Sequence, residues 1–308
     1  MLSRKNQLLL LKTFSIFSVV RGYNIAVVVL AQYLASIFIF ADDKRALDVV
    51  LDWRLFLLVL STSLAIASGY IINNFYDSEK DLINRPNKSV LDRLVSRTTQ
   101  FRIYFLMNFL SVALAWIVSL RAAIFFSLYI FVLWFYSHKL KKYPIVGNII
   151  ATLLVMVPFF AILIHFQNYS PAIFLHGAYL FLLLFIRELI KDLENLVGDL
   201  ANNYQTIAVK YGVQTSKIIL TSLIVLSWIP AYILVKDYHL GYMSYYFYFT
   251  CIFELVLGIF VWSANSVKSY RNIHNFLKLT IVLGVISIAL IDPKVIIHGK
   301  ELIQQLPD

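Results

Sequence analysis

The sequence predicts an all-α integral membrane protein, folded as a bundle of about nine transmembrane helices. Of its 308 residues, 60% are hydrophobic and only 14% are charged, whereas soluble domains carry about 25% charged residues. Nine separate segments approach the roughly 20 apolar residues that a spanning helix needs. This composition excludes a soluble enzyme and a disordered chain. The single cysteine, Cys251, excludes a disulfide framework and a cysteine zinc cluster.

The nine predicted spans follow one another without a linker rich in glycine or proline, so we predict one transmembrane domain over 1–308. Only Arg121 separates the third span from the fourth, and Pro158 predicts a kink in the fifth. In chain order the predicted spans are 13–40, 53–74, 101–119, 121–137, 145–166, 171–190, 216–235, 243–264 and 275–291.

Positive charge predicts the orientation of the bundle. If the N-terminus is cytoplasmic, most of the 27 Lys and Arg residues fall in cytoplasmic segments, as the positive-inside rule requires. We therefore expect a plasma (inner) membrane protein whose N-terminus faces the cytoplasm. The same distribution accounts for the net charge of +10 without a nucleic-acid partner.

Two segments on that side, 73–100 and 187–215, depart from ordinary loop composition because they are rich in acidic residues. On a helix that turns about 100° per residue, the side chains of Asn73, Asp77 and Asp81 form one stripe. The second segment also has one oxygen-bearing face, with i, i+4, i+7 and i+11 spacing. Its members are Glu188, Asp192, Asn195 and Asp199.

Clustered carboxylates repel one another unless a cation lies between them. Mg²⁺ takes oxygen ligands and often combines one or two carboxylates with substrate phosphates. One such stripe alone is typical of a solvated surface, but two on the same membrane side favour a Mg²⁺ site that holds a diphosphate. Nearby bases would contact its phosphate oxygens; they are Arg85, Lys88, Arg187 and Lys191. A Walker-type glycine loop is missing, which argues against a nucleoside triphosphatase.

Four stretches resemble the UbiA superfamily of intramembrane prenyltransferases. The first aspartate-rich motif of that family resembles NNFYDSEKDLINRPNKSV, and its second motif resembles RELIKDLENLVGDLANNYQTIAVKYG. The stretch FYSHKLKKYPIVGN is similar to the basic loop after the fourth helix, and VVRGYN to the signature in the first. The chain departs from the family pattern at Asn195, where Asp is commoner, at Lys88, where Arg is commoner, and at Gly22 and Asn74.

The resemblance implies a UbiA-like fold and Mg²⁺-dependent transfer of a polyprenyl group from a polyprenyl diphosphate to a lipophilic acceptor. It implies these metal ligands: Asn73, Asp77, Asp81, Asp192 and Asp199. The implied catalytic residues are Asp77, Asp81, Asp192, Asp199 and Lys191. The implied substrate-binding residues are Arg21, Asn24, Asn73, Lys88, Tyr136, Lys139 and Asn195, of which Tyr136 could equally be a tyrosine of the interfacial belt.

The acceptor stays open at the level of sequence. RELIKDLEN is more similar to archaeal-type enzymes that prenylate geranylgeranylglyceryl phosphate than to the hydroxybenzoate enzymes. An acceptor phosphate would also suit the extra bases, which are Lys139, Lys141, Lys142, Arg21 and Lys191. An aromatic acceptor of quinone biosynthesis is the second hypothesis. A cation-coupled transporter, from another class, would need acidic groups near the bilayer midplane on broken helices. Glu254 is an intramembrane acid and thus a functional candidate, although a structural hydrogen-bond partner would also explain it.

Overall fold

The computed structural model describes residues 4–41, 43–295 and 297, and the regular elements in that part of the chain are all helices. The α-helices, numbered in chain order, are α1 (Arg4–Val19), α2 (Gly22–Ala35), α3 (Ala46–Val50), α4 (Trp53–Tyr76), α5 (Ser78–Asn84), α6 (Pro86–Asp92), α7 (Arg97–Val118), α8 (Leu120–His138), α9 (Val146–Phe166), α10 (Pro171–Ala201), α11 (Ile207–Asp237), α12 (Ser244–Ser263) and α13 (Val267–Ser287).

Nine stretches among the described residues are long and apolar enough to cross a membrane, which confirms the predicted all-α class and the predicted number of spans. The largest differences from the predicted bounds are in α10 and α11, which extend well beyond 171–190 and 216–235. Helix α10 lengthens at the second acidic segment, because the polar residues there continue the helix instead of ending it. The acidic stripe of the second segment therefore lies on an unbroken helix.

The predicted first span, 13–40, is wrong at its start. Arg21 has left-handed dihedral angles, φ 50° and ψ 54°, and separates α1 from α2, so the first apolar span runs from Gly22 to Phe40. Helix α1 instead packs against α6, where Ser15 Oγ donates to the Leu91 carbonyl at 2.8 Å. Hydropathy did not reveal this break, because a single arginine within a long, mostly apolar run is compatible with one continuous helix.

The junction between α7 and α8 is a single residue. Ser119 has extended dihedral angles, φ −171° and ψ 156°, and its Oγ accepts from the backbone N–H of Ala122 at 3.1 Å. A serine that satisfies a free N–H of the first turn is a favourable helix start. The predicted boundary at Arg121 was therefore two residues too late.

Helix α9 continues through Pro158, which leaves the Leu154 carbonyl without its usual helical partner. The hydroxyl of Tyr129, from α8, donates to that carbonyl at 3.2 Å. Gln32 of α2 donates to the carbonyl of Pro158 itself at 3.1 Å. Since lipid offers no hydrogen bonds, these side chains explain how the proline is tolerated within a spanning helix.

Helix α10 lies at the centre of the bundle, packed against α5, α9, α11 and α13, while α4 packs against α2, α7 and α8. Large apolar side chains on the outer helices are exposed, as expected for surfaces that face lipid; examples are Phe109, Trp116, Tyr245 and Ile252. Because α5 follows α4 directly and packs on α10, the two acidic segments meet at one end of the bundle.

The helical run of α11 is interrupted at Gly212, whose φ of 85° and ψ of 164° fall in a region that is essentially restricted to glycine. No atom lies within 4 Å of a Cβ built there, so the backbone and not crowding requires glycine. The interruption sets the direction of the first turn of α11, which lies within the second acidic segment.

We expect Gly212→Ala to lower the free energy of unfolding by about 1–3 kcal/mol, the cost of holding a residue with a Cβ in this region. Gly258→Ala, within α12, is the matched control. A Cβ there would make only an ordinary contact with Ile224, at 3.9 Å, so this variant should be neutral or slightly stabilised. Thermal unfolding of the detergent-solubilised proteins measures both, and equal midpoints would contradict the strain argument.

Candidate active site

The first acidic segment keeps helical spacing across the junction of α4 and α5. The N–H of Asp77 donates to the Asn73 carbonyl at 2.9 Å, and the N–H of Asp81 donates to the Asp77 carbonyl at 2.8 Å. Asp77 is buried, whereas the side chains of Asn73 and Asp81 are only partly covered. The three side chains therefore start from one continuous stripe, and Asp77 is its most enclosed member.

The acidic side chains of the second segment lie in the second half of α10. Its four predicted oxygen-bearing residues are all buried, and Asp199 is only 1% exposed. Asn148 of α9 donates from Nδ2 to Asp192 Oδ2 at 2.7 Å. Lys191 Nζ lies 2.6 Å from Glu188 Oε2, so this face already carries its own compensating charge.

Lys80 joins the two segments. Its Nζ lies 3.6 Å from Asp77 Oδ1 and 3.2 Å from Asp199 Oδ1, so one ammonium group bridges α5 and α10. Lys141, from the short turn after α8, lies 2.8 Å from Asp77 Oδ1 and 3.4 Å from Asn73 Oδ1. Two carboxylates that would otherwise repel each other are thus held by two lysines.

Tyr204 completes the enclosure of Asp77. Its hydroxyl donates to Asp77 Oδ1 at 3.1 Å, and Lys80 Nζ lies 4.5 Å from the centre of its ring. The next residue, Gln205, donates its backbone N–H to the Lys142 carbonyl at 3.0 Å. The segment that carries Lys141 and the segment that carries Tyr204 are therefore hydrogen-bonded to each other beside the carboxylates.

The charges in this cluster shift the pKa values of its members. Burial alone would raise the pKa of Asp77, but the ammonium groups of Lys80 and Lys141 outweigh burial and hold that pKa well below its usual range. Burial lowers the pKa of Lys141, and Asp77 offsets only part of this effect. For Lys80 the opposite holds, because Asp77 and Asp199 together outweigh burial and raise its pKa.

The predicted metal ligands stay a prediction. Among the described residues, no three His, Cys, Asp or Glu side chains are grouped so that they could hold a metal ion. Lys80 lies between the carboxylates of Asp77 and Asp199 instead, and Lys141 pairs with Asp77. The carboxylate of Asp81 is partly exposed and has no ion pair in the described part of the chain.

Three of the predicted substrate-binding residues lie near the cluster. The guanidinium of Arg21 is 5.0 Å from the ring centre of Tyr70, and Asn24 Nδ2 donates to the Tyr70 hydroxyl at 3.0 Å. Tyr70 precedes Asn73 by one turn of α4. Tyr136 lies close enough to the carboxylates of Glu188 and Asp192 for their charges to act on its hydroxyl.

Two other predicted residues are not brought into the cluster. Lys88 Nζ pairs with Asp92 Oδ2 at 2.7 Å and lines a separate cavity beside α13. Lys139 is exposed and makes no ion pair within the described ranges. Lys141, two residues later in the same basic loop, is the base that is buried among the carboxylates.

Sequence reasoning missed the site contributions of Lys80, Tyr204 and Asn148. The i, i+3 spacing of Lys80 from Asp77 was one usable signal, and a buried amide within an apolar helix was the signal for Asn148. Glu254, by contrast, has structural partners: Ser227 Oγ and Trp228 Nε1 each donate to its Oε2 at 2.9 Å.

The buried cluster coincides with the two motifs that carried the family resemblance. The model of the UbiA prenyltransferase family matches residues 15–290. The chain belongs to the UbiA prenyltransferase family. It is therefore a membrane enzyme that transfers prenyl groups.

Two relatives of similar sequence carry the same enzyme name. The digeranylgeranylglyceryl phosphate synthase of Sulfurisphaera tokodaii is 26% identical over 269 residues, which cover 85% of this chain and 92% of that one. The digeranylgeranylglyceryl phosphate synthase of Thermococcus sibiricus is 30% identical over 243 residues, which cover 76% and 83% respectively.

Solved structures share the UbiA fold. One solved structure is described as giving structural and mechanistic insights into the biosynthesis of digeranylgeranylglyceryl phosphate synthase in membranes. Its TM-score is 0.68 at 18% identity, and the likeness covers 91% of this chain and 98% of that chain. A UbiA homolog from Archaeoglobus fulgidus bound to GPP and Mg²⁺ has a TM-score of 0.65 at 15% identity, over 89% and 99% of the chains. At these identities the likeness concerns the fold.

Tyr204→Phe tests the enclosure of Asp77. Loss of the hydroxyl removes a hydrogen bond to a charged group, which should lower the free energy of unfolding by about 1.5–3 kcal/mol. Tyr211→Phe is the control, since that exposed tyrosine has no hydroxyl hydrogen bond among the described residues and should unfold like the parent. Thermal unfolding in metal-free buffer measures both, and an unchanged midpoint for Tyr204→Phe would argue against the contact.

Proposed function

We propose that this protein transfers a polyprenyl group from a polyprenyl diphosphate to a prenylglyceryl phosphate, as geranylgeranylglyceryl phosphate prenylating enzymes do, with Mg²⁺ as cofactor. One observation carries the proposal: Asp77 and Asp199, one from each aspartate-rich motif, share the ammonium group of Lys80 at a single buried cluster. The names of the archaeal relatives support the choice of acceptor.

The donor chemistry of the cluster fits Mg²⁺. Its buried groups are carboxylates and amides, the oxygen ligands that this ion takes. Asp199 Oδ1 supports the fit further, because it is buried and its contact with Lys80 lacks hydrogen-bond geometry. We propose as metal ligands Asn73, Asp77, Asp81, Asp192 and Asp199. When bound, Mg²⁺ would stabilise the negative charge of the diphosphate.

The protein side chains would act mainly by stabilising the charge on the leaving diphosphate and by positioning the substrates. In the reaction the C–O bond of the prenyl diphosphate breaks, the acceptor hydroxyl oxygen bonds to C1, and the diphosphate leaves and takes up the proton of that hydroxyl. Lys80, Lys141 and Lys191 would stabilise the charge that develops on the leaving group. Asn195 and Tyr136 would line the substrate pocket, and the enclosing segments would limit the access of water to the reacting carbon.

We further propose that the cluster faces the cytoplasm at the plasma (inner) membrane. Helix α1 packs on α6, which carries the end of the first motif, so the N-terminal helix lies at the same end of the bundle as the carboxylates. The concentration of basic residues on this side supports a cytoplasmic orientation. The acidic cluster begins where α4 ends, unlike the midplane sites on broken helices that a cation-coupled transporter would use.

Asp77→Ala and Asp192→Ala test the proposed reaction. Each should lower transfer by at least about a hundredfold, the scale seen when one group that stabilises developing charge is removed. Glu79→Gln is the control, because Glu79 is exposed and lies off the stripe. The assay uses labelled geranylgeranyl diphosphate with geranylgeranylglyceryl phosphate or an aromatic acceptor, and mass spectrometry identifies the product. Full turnover in both variants would contradict the proposal. A prenylated aromatic product would instead indicate an aromatic acceptor.

Binding without turnover tests the proposed metal. A thio-linked prenyl diphosphate that resists cleavage, added together with Mg²⁺, should raise the unfolding midpoint, since a ligand at a hundredfold excess over Kd adds about 2.7 kcal/mol. Either component alone should add less. In Asp199→Asn the combined effect should shrink, whereas in Glu79→Gln it should stay as in the parent. An equal rise in Asp199→Asn would contradict the proposed ligand set.

A further inference from the structure

A second polar cavity lies on the other side of α10. It has a volume of about 520 Å³ and opens between the turn from α5 to α6, helix α10 and helix α13. Among the described residues, four basic side chains line it, and Glu194 is the one carboxylate that does so. The basic residues are Arg85, Lys88, Arg271 and Lys278. On α10, Glu194 and Asp192 point in directions about 200° apart, so the cavity is separate from the carboxylate cluster.

The positive charge of this cavity exceeds what the described residues compensate. Glu194 is shared by Arg271 Nε at 3.2 Å, His274 Nδ1 at 2.7 Å and Arg85 at 3.8 Å. Lys278 has no ion pair within the described ranges, although the guanidinium groups of Arg21, Arg85 and Arg187 lie near enough to act on its charge. Like charges gathered in this way favour a bound anion.

Two buried polar atoms in the cavity wall also lack partners. His274 is 2% exposed, and its Nε2 makes no hydrogen bond although Nδ1 is bound to Glu194. Asn84 Nδ2 is likewise without a partner. Buried polar atoms without partners are rare in folded proteins and often indicate a group that the structure does not contain. Here both belong to side chains that line the same basic cavity.

The outer surface of α13 indicates what kind of anion fits. Phe276 and Leu279, beside Lys278 in the sequence, are 60% and 54% exposed. An alkyl chain could lie along this apolar surface while its phosphate enters the cavity. On the inner side, Arg187 connects the cavity with the cluster, because it acts on Lys278 and lies 3.5 Å from Glu188 Oε1. Arg187 thus links the charges of the cavity with those of the carboxylate face of α10.

We propose that this cavity binds the phosphate monoester of the lipid acceptor, through Arg271, Lys278 and His274, while the carboxylate cluster binds the diphosphate donor. The inference rests on the proposed function for the identity of the ligand, but the cavity and its charge do not. It assigns acceptor recognition to α13, a helix that lies outside both aspartate-rich motifs. It also places Lys88, paired with Asp92, on the acceptor side.

Direct binding tests the inference without turnover. The probe is a monoalkyl glycerol phosphate, titrated calorimetrically into the detergent-solubilised full chain without Mg²⁺ or prenyl diphosphate. Lys278→Gln should weaken binding at least about tenfold, the effect of losing one charge-assisted hydrogen bond. Lys278→Arg should restore most of it. Lys268→Gln, an exposed lysine of the same helix that does not line the cavity, should bind like the parent.

Steady-state kinetics show whether the phosphate bound in the cavity is that of the acceptor, that of the prenyl diphosphate or that of an ordinary lipid headgroup. In Lys278→Gln the KM for the acceptor should rise about tenfold, while the KM for the prenyl diphosphate stays as in the parent. Unchanged probe binding, or an equal rise of both KM values, would overturn the inference. So would equally tight, Lys278-dependent binding of a phosphodiester lipid, since the cavity would then hold an ordinary headgroup. If the parent binds the monoester through Lys278 yet prenylates no acceptor, the phosphate site in the cavity is supported and the proposed function is contradicted.

Discussion

The candidate site depends on the ion pairs that the ammonium groups of Lys80 and Lys141 make with its carboxylates. Asp77 and Asp199 are buried and come from different helices, so without intervening positive charge they would repel each other and oppose the packing of α5 on α10. Removing one partner of a buried ion pair costs about 3–5 kcal/mol. Assembly of the site and closure of this end of the bundle are therefore the same event.

Helix α10 organises two sites with opposite charge. Asp192 and Asp199 face the carboxylate cluster, whereas Glu194 faces the basic cavity beside α13. Because both sets of residues belong to one rigid helix, the distance between the two sites is fixed by helical geometry. In the proposed reaction between two charged lipids, each headgroup would have its own site, and the two would not compete for the same cations.

The number of spans and the positions of both motifs could be predicted from sequence, because lipid imposes a length of about 20 apolar residues and helices impose a fixed angular step. The break at Arg21 could not, since it is set by backbone dihedral angles within a continuous apolar run. The contact of Lys80 with Asp199 depends on how α5 packs on α10. Likewise, Lys141 and Tyr204 come from connecting segments, whose paths follow from tertiary packing.

The length of α10 has a consequence for how lipid substrates are handled. At about 1.5 Å per residue, its 31 residues extend over about 46 Å, whereas the hydrocarbon core of a bilayer is about 30 Å thick. Roughly ten residues must therefore lie at the level of the headgroups, and the acidic part of the helix is of that length. A lipid can thus present its charged end at this depth while its chains stay among those of its neighbours. Substrate supply and product departure become lateral diffusion in two dimensions, with no extraction step.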